Sequence, residues 1–497
     1  MKNKIAVTII SLVLMLSVFT SCQQQQNLSQ QKELTITTSS KKALKLFLKG
    51  RKDFDLARNN SAIELFDKAI ALDSNFAMAY EYRSWLGADD LSRNKARKKA
   101  YALINKVSEG ERLWILFNRA WANNDLEKII KHLDSFLALY PDDKRGNYYA
   151  GVVNSYLIKD QEKALWHYNK ALESDKDFLM VYVAKKNVEI KLERFTEAER
   201  SIQNLIRLQP NQAIPYFSYG QLLTKLGRFD ESIEQHKIAL KKDAEFDQCY
   251  CEIGHNHILK GEYQKAREYY WKTVNQTCSE RDKLTPVFYE AISYLFEGNL
   301  DEFTNSYREF GAIAKKNELW NNYINAFAEP GIVFTQLNNP VEAKKYFDKA
   351  IELIETLPLC EETKKDYTAR SDRWRFSLFI AQNELRKAKD LLKKIDSYLS
   401  SEGQHTYDLH AKYEMASGNY EEAIELFKKI DNLWPVLMYD LAVCYEKVGD
   451  KEKALEHYLK IKNFNEIRWT YAAVWQNILS KVEVLQAEIQ GSKKEIS

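Results

Sequence analysis

Between Ala213 and Glu280 the apolar positions recur at helical spacing, and the whole pattern then returns. Gly220, Gly227, Phe229 and Ala239 reappear one full period later as Gly254, Gly261, Tyr263 and Thr273. A fixed period of this size marks stacked supersecondary units, none of which can bury its apolar face alone. Within each unit a helix ends at Leu226-Gly227 or Lys260-Gly261, and an aromatic, Phe229 or Tyr263, opens the next. The first glycine has no side chain to hold the paired helix away. The second stands where a helix stop calls for left-handed backbone. The pattern predicts a helix–turn–helix repeat.

The small residue early in each second helix traces the repeat through the chain. It falls at Ala62, Ala96, Ile129, Ala164, Ala198, Ser232, Ala266, Phe303, Ala343, Ala388, Ala423 and Ala454, and two helical turns after each comes a further buried-type position, from Ala69 to Ile461. Pro141, Pro210 and Pro435 close three of the units. With Ala62-Ile-Glu-Leu-Phe66-Asp-Lys-Ala69 as its best copy, this pattern resembles the tetratricopeptide repeat (TPR) family. The resemblance implies an all-α, TPR-type helix-turn-helix solenoid, a right-handed superhelix of about twelve repeats. Residues 43–280 keep the register. After that run come insertions at Arg281–Lys283, Glu318–Tyr323 and Pro358–Thr368, which make 284–464 a less regular solenoid, so two segments are expected to meet near residue 283. Over 465–490, Ile467, Tyr471, Val474, Ile478, Val482, Leu485 and Ile489 form one stripe. They predict a capping amphipathic helix that stops at Gly491 and covers the last repeat.

Positions 1–21 read differently. Lys2 and Lys4 precede an apolar run, Ile5–Val18, of signal-peptide length and too short for a membrane span. The run ends in Phe19-Thr20-Ser21-Cys22, which resembles the bacterial lipoprotein processing motif, with Phe19 in place of the usual Leu. The resemblance implies cleavage before Cys22 and lipidation of that cysteine. Polar, Gln-rich residues 22–40 then read as a flexible tether. The tether has no acidic residue before Glu33, and this favours an anchor in the cell envelope, in the outer membrane and facing the periplasm, over export to the cell surface.

The formal net charge is +3 over 497 residues, with 73 basic and 70 acidic side chains, which gives no electrostatic footprint for nucleic acid. The chain has no His-Glu-x-x-His, no phosphate-binding Gly-rich loop and no Gly-x-Ser-x-Gly, so the expectation is a non-enzyme without cofactor. Aromatics are abundant, but Phe66, Tyr168, Tyr270, Tyr307, Phe347, Phe427 and Tyr458 share one equivalent position and read as interhelix packing. In Cys249-Tyr-Cys251-Glu-Ile-Gly-His255-Asn-His257, only Cys251 and His255 share a helix face, and one helix cannot carry all four to one metal ion. No metal site is expected. Cys249 or Cys251 opens a first helix and Cys278 ends its partner, so a disulfide to Cys278, taken as Cys251–Cys278, is geometrically feasible in an oxidising compartment.

In the resembling family the first helices line a concave groove that holds extended peptides. On that face Asn187, Gln221 and His255 are one period apart, Lys191 and Lys225 lie one turn later, and Tyr149, Val183, Phe217 and Cys251 lie one turn earlier. An amide ladder beside lysines can hydrogen-bond a peptide backbone and hold a carboxylate. The family's chaperone-tail clamp needs Lys or Asn where this chain has Val183 and Phe217, so that clamp does not transfer. The expected function is a membrane-anchored scaffold of the bacterial cell envelope that binds a protein or peptide in this groove. A solute- or glycan-binding lipoprotein using groove aromatics such as Tyr149 and Phe217 is the alternative.

Overall fold

The computed structural model describes residues 34–56, 58–86, 90–274, 279–398, 404–431 and 433–496. These residues are all-α and form two compact units that divide between Pro210 and Asn211. The division falls inside the regular run of repeats, not at the interruption near 283. The first unit contains five helix pairs: α1 (Lys41–Asp55) with α2 (Asn59–Leu72), α3 (Ala77–Arg83) with α4 (Asp90–Ala102), α5 (Glu109–Ala122) with α6 (Leu126–Leu139), α7 (Lys144–Val152) with α8 (Gln161–Ser174), and α9 (Leu179–Lys191) with α10 (Phe195–Leu208). The second unit begins with α11 (Ala213–Lys225) and α12 (Phe229–Lys242), α13 (Gln248–Leu259) and α14 (Tyr263–Trp271), α15 (Leu284–Glu297) and α16 (Leu300–Lys316), and α17 (Trp320–Gln336) and α18 (Pro340–Thr356). It continues with α19 (Glu361–Ala381) and α20 (Leu385–Asp396), α21 (Gln404–Ala416) and α22 (Tyr420–Phe427), and α23 (Pro435–Lys447) and α24 (Lys451–Lys462), and ends in α25 (Trp469–Ala472) and α26 (Trp475–Ile496).

Several pairs are set by a contact that the sequence pattern anticipates. The seven aromatics at the equivalent second-helix position are all at most 2% exposed. Opposite several of them stands a glycine of the first helix. A Cβ on Gly50 would lie 2.8 Å from the Phe66 ring, on Gly254 2.4 Å from Tyr270, and on Gly331 2.6 Å from Phe347. Gly220 faces the imidazole of His236 in the same way, at 2.5 Å. A methyl group therefore cannot be added at these positions without pushing the helices apart. Gly227 and Gly261 hold the expected left-handed turns, with φ of +73° and +76°.

One of these pairs departs from the common spacing. Gly151 meets Tyr168, and the chain between them is one position longer than between Gly50 and Phe66 or Gly254 and Tyr270. The extra residue is taken up by a π-helical turn, Val153–Ile158, at the end of α7. It leaves Tyr156 59%, Leu157 40% and Ile158 42% exposed.

The first unit curls until its beginning meets its end. Asp55, at the end of α1, is paired in the interior with Arg145 of α7, and Lys144 bridges to Asp175 at 2.5 Å. Leu56 packs against Leu179, Tyr182 and Leu205 of the last pair. The chain leading into α1 is fastened as well. The Thr37 backbone N–H and hydroxyl donate to Glu111 at 2.8 and 2.5 Å, Thr38 and Ser39 donate to Asp73, and Ser40 caps α1. Leu34 is buried in the apolar core of the first helix pairs. The flexible tether expected over 22–40 therefore does not include 34–40. Four hydroxyl-bearing residues, three of them bound to buried carboxylates, become part of the fold.

The second unit closes through its C-terminal segment. Asn465 donates to the Lys225 carbonyl at 3.2 Å, Gln336 donates to the Thr470 carbonyl at 2.9 Å, and Gln476 donates to the Phe296 carbonyl at 2.7 Å. The segment thus touches the ends of α11, α15 and α17 while α26 lies on α24. Phe296 meets both Tyr471 and Trp475 edge-on, with ring centroids 5.6 Å apart. The predicted stripe is recovered in its middle: Tyr471, Val474, Ile478, Val482 and Leu485 are buried, while Ile467 and Ile489 are half-buried. The predicted helix bounds need correction. Residues 464–468 are non-helical, with Asn465 in left-handed backbone at φ +54°, so the long helix begins at Trp475, and it runs through Gly491 to Ile496.

If this closure carries stability, Ile478→Ala lowers the unfolding free energy of the chain by about 3 kcal/mol, as expected for a fully buried Ile truncated to Ala. Val484→Ala, at a 49% exposed position on the same helix, changes it by less than about 0.5 kcal/mol. Urea unfolding of the two variants, side by side, measures the difference.

Candidate functional site

The predicted ladder falls on two units and behaves differently in each. In the first, Val183, Asn187 and Lys191 project from one face of α9; Val183 is 46% exposed and Asn187 accepts a hydrogen bond from Lys186 at 3.0 Å. Tyr149 on α7 is not an open platform. It is packed among Trp85, Trp114, Phe117, Trp121 and Tyr148, with centroids 5.0–6.5 Å away.

In the second unit the ladder residues are engaged with one another and with the core. Phe217 packs on Phe246 and His236 at 4.9 and 5.3 Å. Gln221 donates to Glu252 at 3.1 Å, and His255 lies 3.7 Å from the same carboxylate while its ring meets Tyr289 at 4.7 Å. Lys225 is 3.9 Å from Glu466 of the closing segment. Cys251 is half-buried, and burial pushes its thiol up to about 12. Cys278 and the lipidation site Cys22 lie outside the described residues.

The same register continues into a cavity that the fixed period misses. Asn187, Gln221 and His255 each precede the small residue of their second helix, Ala198, Ser232 and Ala266, by the same interval. That interval counted back from Ala343, Ala388, Ala423 and Ala454 gives Ile332, Ser377, Lys412 and Val443. Lys191 and Lys225 stand one turn nearer to the small residue, and the same place in the later pairs is taken by Gln336, Ala381, Ala416 and Lys447. All eight line one cavity of about 440 Å³ in the second unit. The insertions between pairs change the spacing from pair to pair but not the offset within a pair. Measuring from the second-helix alanine, rather than from His255, is the signal that finds the site.

The cavity is bounded by the first helices of four successive pairs, α17, α19, α21 and α23, with Val474 of the closing segment also in its wall. Its walls are mainly apolar: Ile332, Phe376, Ile380, Met415, Val436 and Val443. Such a pocket, with a few polar groups in an apolar lining, has the make-up of a ligand site. The charged groups are unequal. Lys412 pairs with Asp408 one turn earlier, at 2.9 Å. Asp440 on α23 is half-buried and, among the described residues, has neither hydrogen bond nor ion pair. Burial pushes its carboxyl up to about 6, against the smaller pull of Lys412. Gln336 spends its amide N–H on Thr470, and its oxygen is buried without a partner.

Because the folded state holds the Asp440 proton more tightly than the unfolded chain does, its contribution to stability is full below about pH 4. It is lost as pH rises toward about 6. Asp440→Asn removes the penalty. It is expected to be more stable than wild type by about 2 kcal/mol at pH 8 and equal to it near pH 4. Thermal unfolding at both pH values reads the crossover.

The tetratricopeptide-repeat family profile matches residues 187–245. The small glutamine-rich tetratricopeptide repeat-containing protein 2 of Mycosarcoma maydis is 29% identical over 91 residues, which is 18% of this chain. The chain spans 26% of the length of that curated relative. Among solved structures, a tetratricopeptide repeat protein from Parabacteroides merdae is 15% identical, covers 55% of this chain and 98% of its own, and superposes with a TM-score of 0.35. MamA from Desulfovibrio magneticus is 18% identical over 33% of this chain and 92% of its own, with a TM-score of 0.31. The profile match shows tetratricopeptide repeats over residues 187–245, and the glycine-against-aromatic helix pairs of both all-α units continue the same kind of pairing beyond them.

Proposed function

We propose that the chain is a membrane-anchored scaffold of the bacterial cell envelope that binds a protein or peptide partner on the face made by the first helices of its second unit. The observation that carries this reading is the cavity of about 440 Å³ between α17, α19, α21 and α23. It is apolar enough to hold a side chain out of water, and Asp440 and Gln336 leave polar groups unspent there. The anchor rests on the N-terminal segment: an apolar run of signal length ending at Cys22, whose lipid holds the chain on the membrane, in the outer membrane and facing the periplasm. The alternative of a glycan platform at Tyr149 and Phe217 draws no support from their surroundings, because both rings pack into aromatic clusters.

Two measurements test these parts separately. Capture from solubilised envelope on the full chain is compared with Ile380→Glu, which places a charge on the apolar wall. A protein retained by wild type and lost by the variant is expected; equal retention by both places the partner elsewhere. Cys22→Ala is expected to move the chain from the membrane pellet to the soluble fraction and to abolish incorporation of labelled palmitate. A variant that stays in the pellet and takes up the label rules out the anchor.

A further inference from the structure

The chemistry left unsatisfied in the cavity of the second unit narrows what it receives. An occupant must supply apolar surface for the wall, and it must supply hydrogen-bond donors, since two unspent groups there can only accept, whereas the hydroxyls of Ser377 and Tyr420 serve either way and Asn338 is exposed at the edge. The two acceptors are the Asp440 carboxylate and the Gln336 side-chain oxygen. The two lysines do not reverse this balance. Lys412 is neutralised by Asp408 at 2.9 Å. Lys447 is exposed at the mouth, two helical turns from Asp440 and thus about 10 Å along the axis, where water screens it. A carboxylate entering the cavity would meet Asp440 without a free cation beside it. A purely apolar group would leave that carboxylate desolvated and unpaired, which costs more than the burial returns.

A group that meets both demands has a long aliphatic stem and a cationic head. We propose that this pocket receives a lysine or arginine side chain presented by an extended segment of the partner, with its stem against Ile380, Val443 and Val474 and its head on the Asp440 carboxylate. The inference rests on the pocket being the partner site. The charge-assisted contact at Asp440 confers selectivity, and the apolar wall confers most of the affinity.

The probes are four capped pentapeptides, acetyl-Gly-Leu-X-Leu-Gly-amide, with X as lysine, arginine, norleucine or glutamate. Norleucine keeps the aliphatic stem and lacks the head. The readout is the methyl resonance of [¹³C-methyl]Met415 in the full chain. Met415 lines the cavity, and Met78 and Met180 in the first unit serve as references. The lysine and arginine peptides are expected to shift Met415 saturably while leaving Met78 and Met180 in place. They should bind at least about tenfold more tightly than norleucine, the factor that about 1.4 kcal/mol represents. Asp440→Asn should equalise lysine and norleucine, and Asp440→Glu should preserve the preference.

Equal binding of norleucine and lysine to wild type overturns the cationic head and leaves an apolar pocket. Preference for the glutamate peptide overturns it in favour of Lys412 and Lys447. Absence of any Met415 shift overturns the basic-residue inference outright. In that case Ile380→Glu decides the broader reading: lost partner capture keeps the pocket as the partner site, and unchanged capture removes both.

Discussion

The fold depends on a contact in which one side is a missing side chain. In pair after pair, a second-helix ring lies where a first-helix Cβ would be, with Gly50 under Phe66, Gly254 under Tyr270 and Gly331 under Phe347. That contact sets how closely two helices approach, and hence where the next pair must stack. The ring gains burial and dispersion contacts that no smaller residue could give at the same helix separation. The contact also explains the two irregularities. Where the slot holds His236 instead of a benzenoid ring, both nitrogens are buried without partners and burial pushes the ring's pKa down to about 4, so it packs as a neutral aromatic. Where one residue too many separates Gly151 from Tyr168, the backbone widens into a π turn and the contact is kept.

Most of this layer was legible in the sequence because it is local. Gly220 and Gly254, the left-handed Gly227 and Gly261, and the buried ring positions are related within single helix pairs, and the relation repeats often enough to stand out. What the sequence hid is the long-range closure. Nothing near Asp55 announces Arg145, and nothing near Asn465 announces Lys225, because each partner lies several repeats away along the chain. The stripe from Tyr471 to Leu485 was readable as apolar. That its start would instead break into a non-helical stretch and a short helix, with bonds from Asn465, Thr470 and Gln476 to three other helix ends, was not. In the same way, Thr37, Thr38 and Ser39 read as polar linker until Glu111 and Asp73 are seen to need donors.

The candidate site was half legible. The ladder through Asn187, Gln221 and His255 identified the right helical face, but a constant period carried it only through the regular pairs. Farther along, insertions lengthen the links between pairs, and the face continues as Ile332, Ser377, Lys412 and Val443. The polar character that the ladder predicted for the early pairs is spent there on intramolecular bonds, as with Gln221 and Glu252. It is in the later pairs, where the wall is apolar, that one carboxylate remains unspent. The proposed site is marked by what has no partner rather than by what is polar.

Closure has a further consequence for how each unit comes apart. An open repeat array has two frayed ends, each terminal pair held by a single neighbour, so it can unravel stepwise from either side. In the first unit the opening pair is tied to the fourth and fifth pairs through Asp55 and Leu56. In the second, the segment from Asn465 to Gln476 is tied to the first, third and fourth pairs. Neither unit has a terminal pair that can leave while the rest stays. Each is therefore a single cooperative block, resistant to proteolysis from its ends, and in the second unit the face proposed for the partner is present in full or not at all.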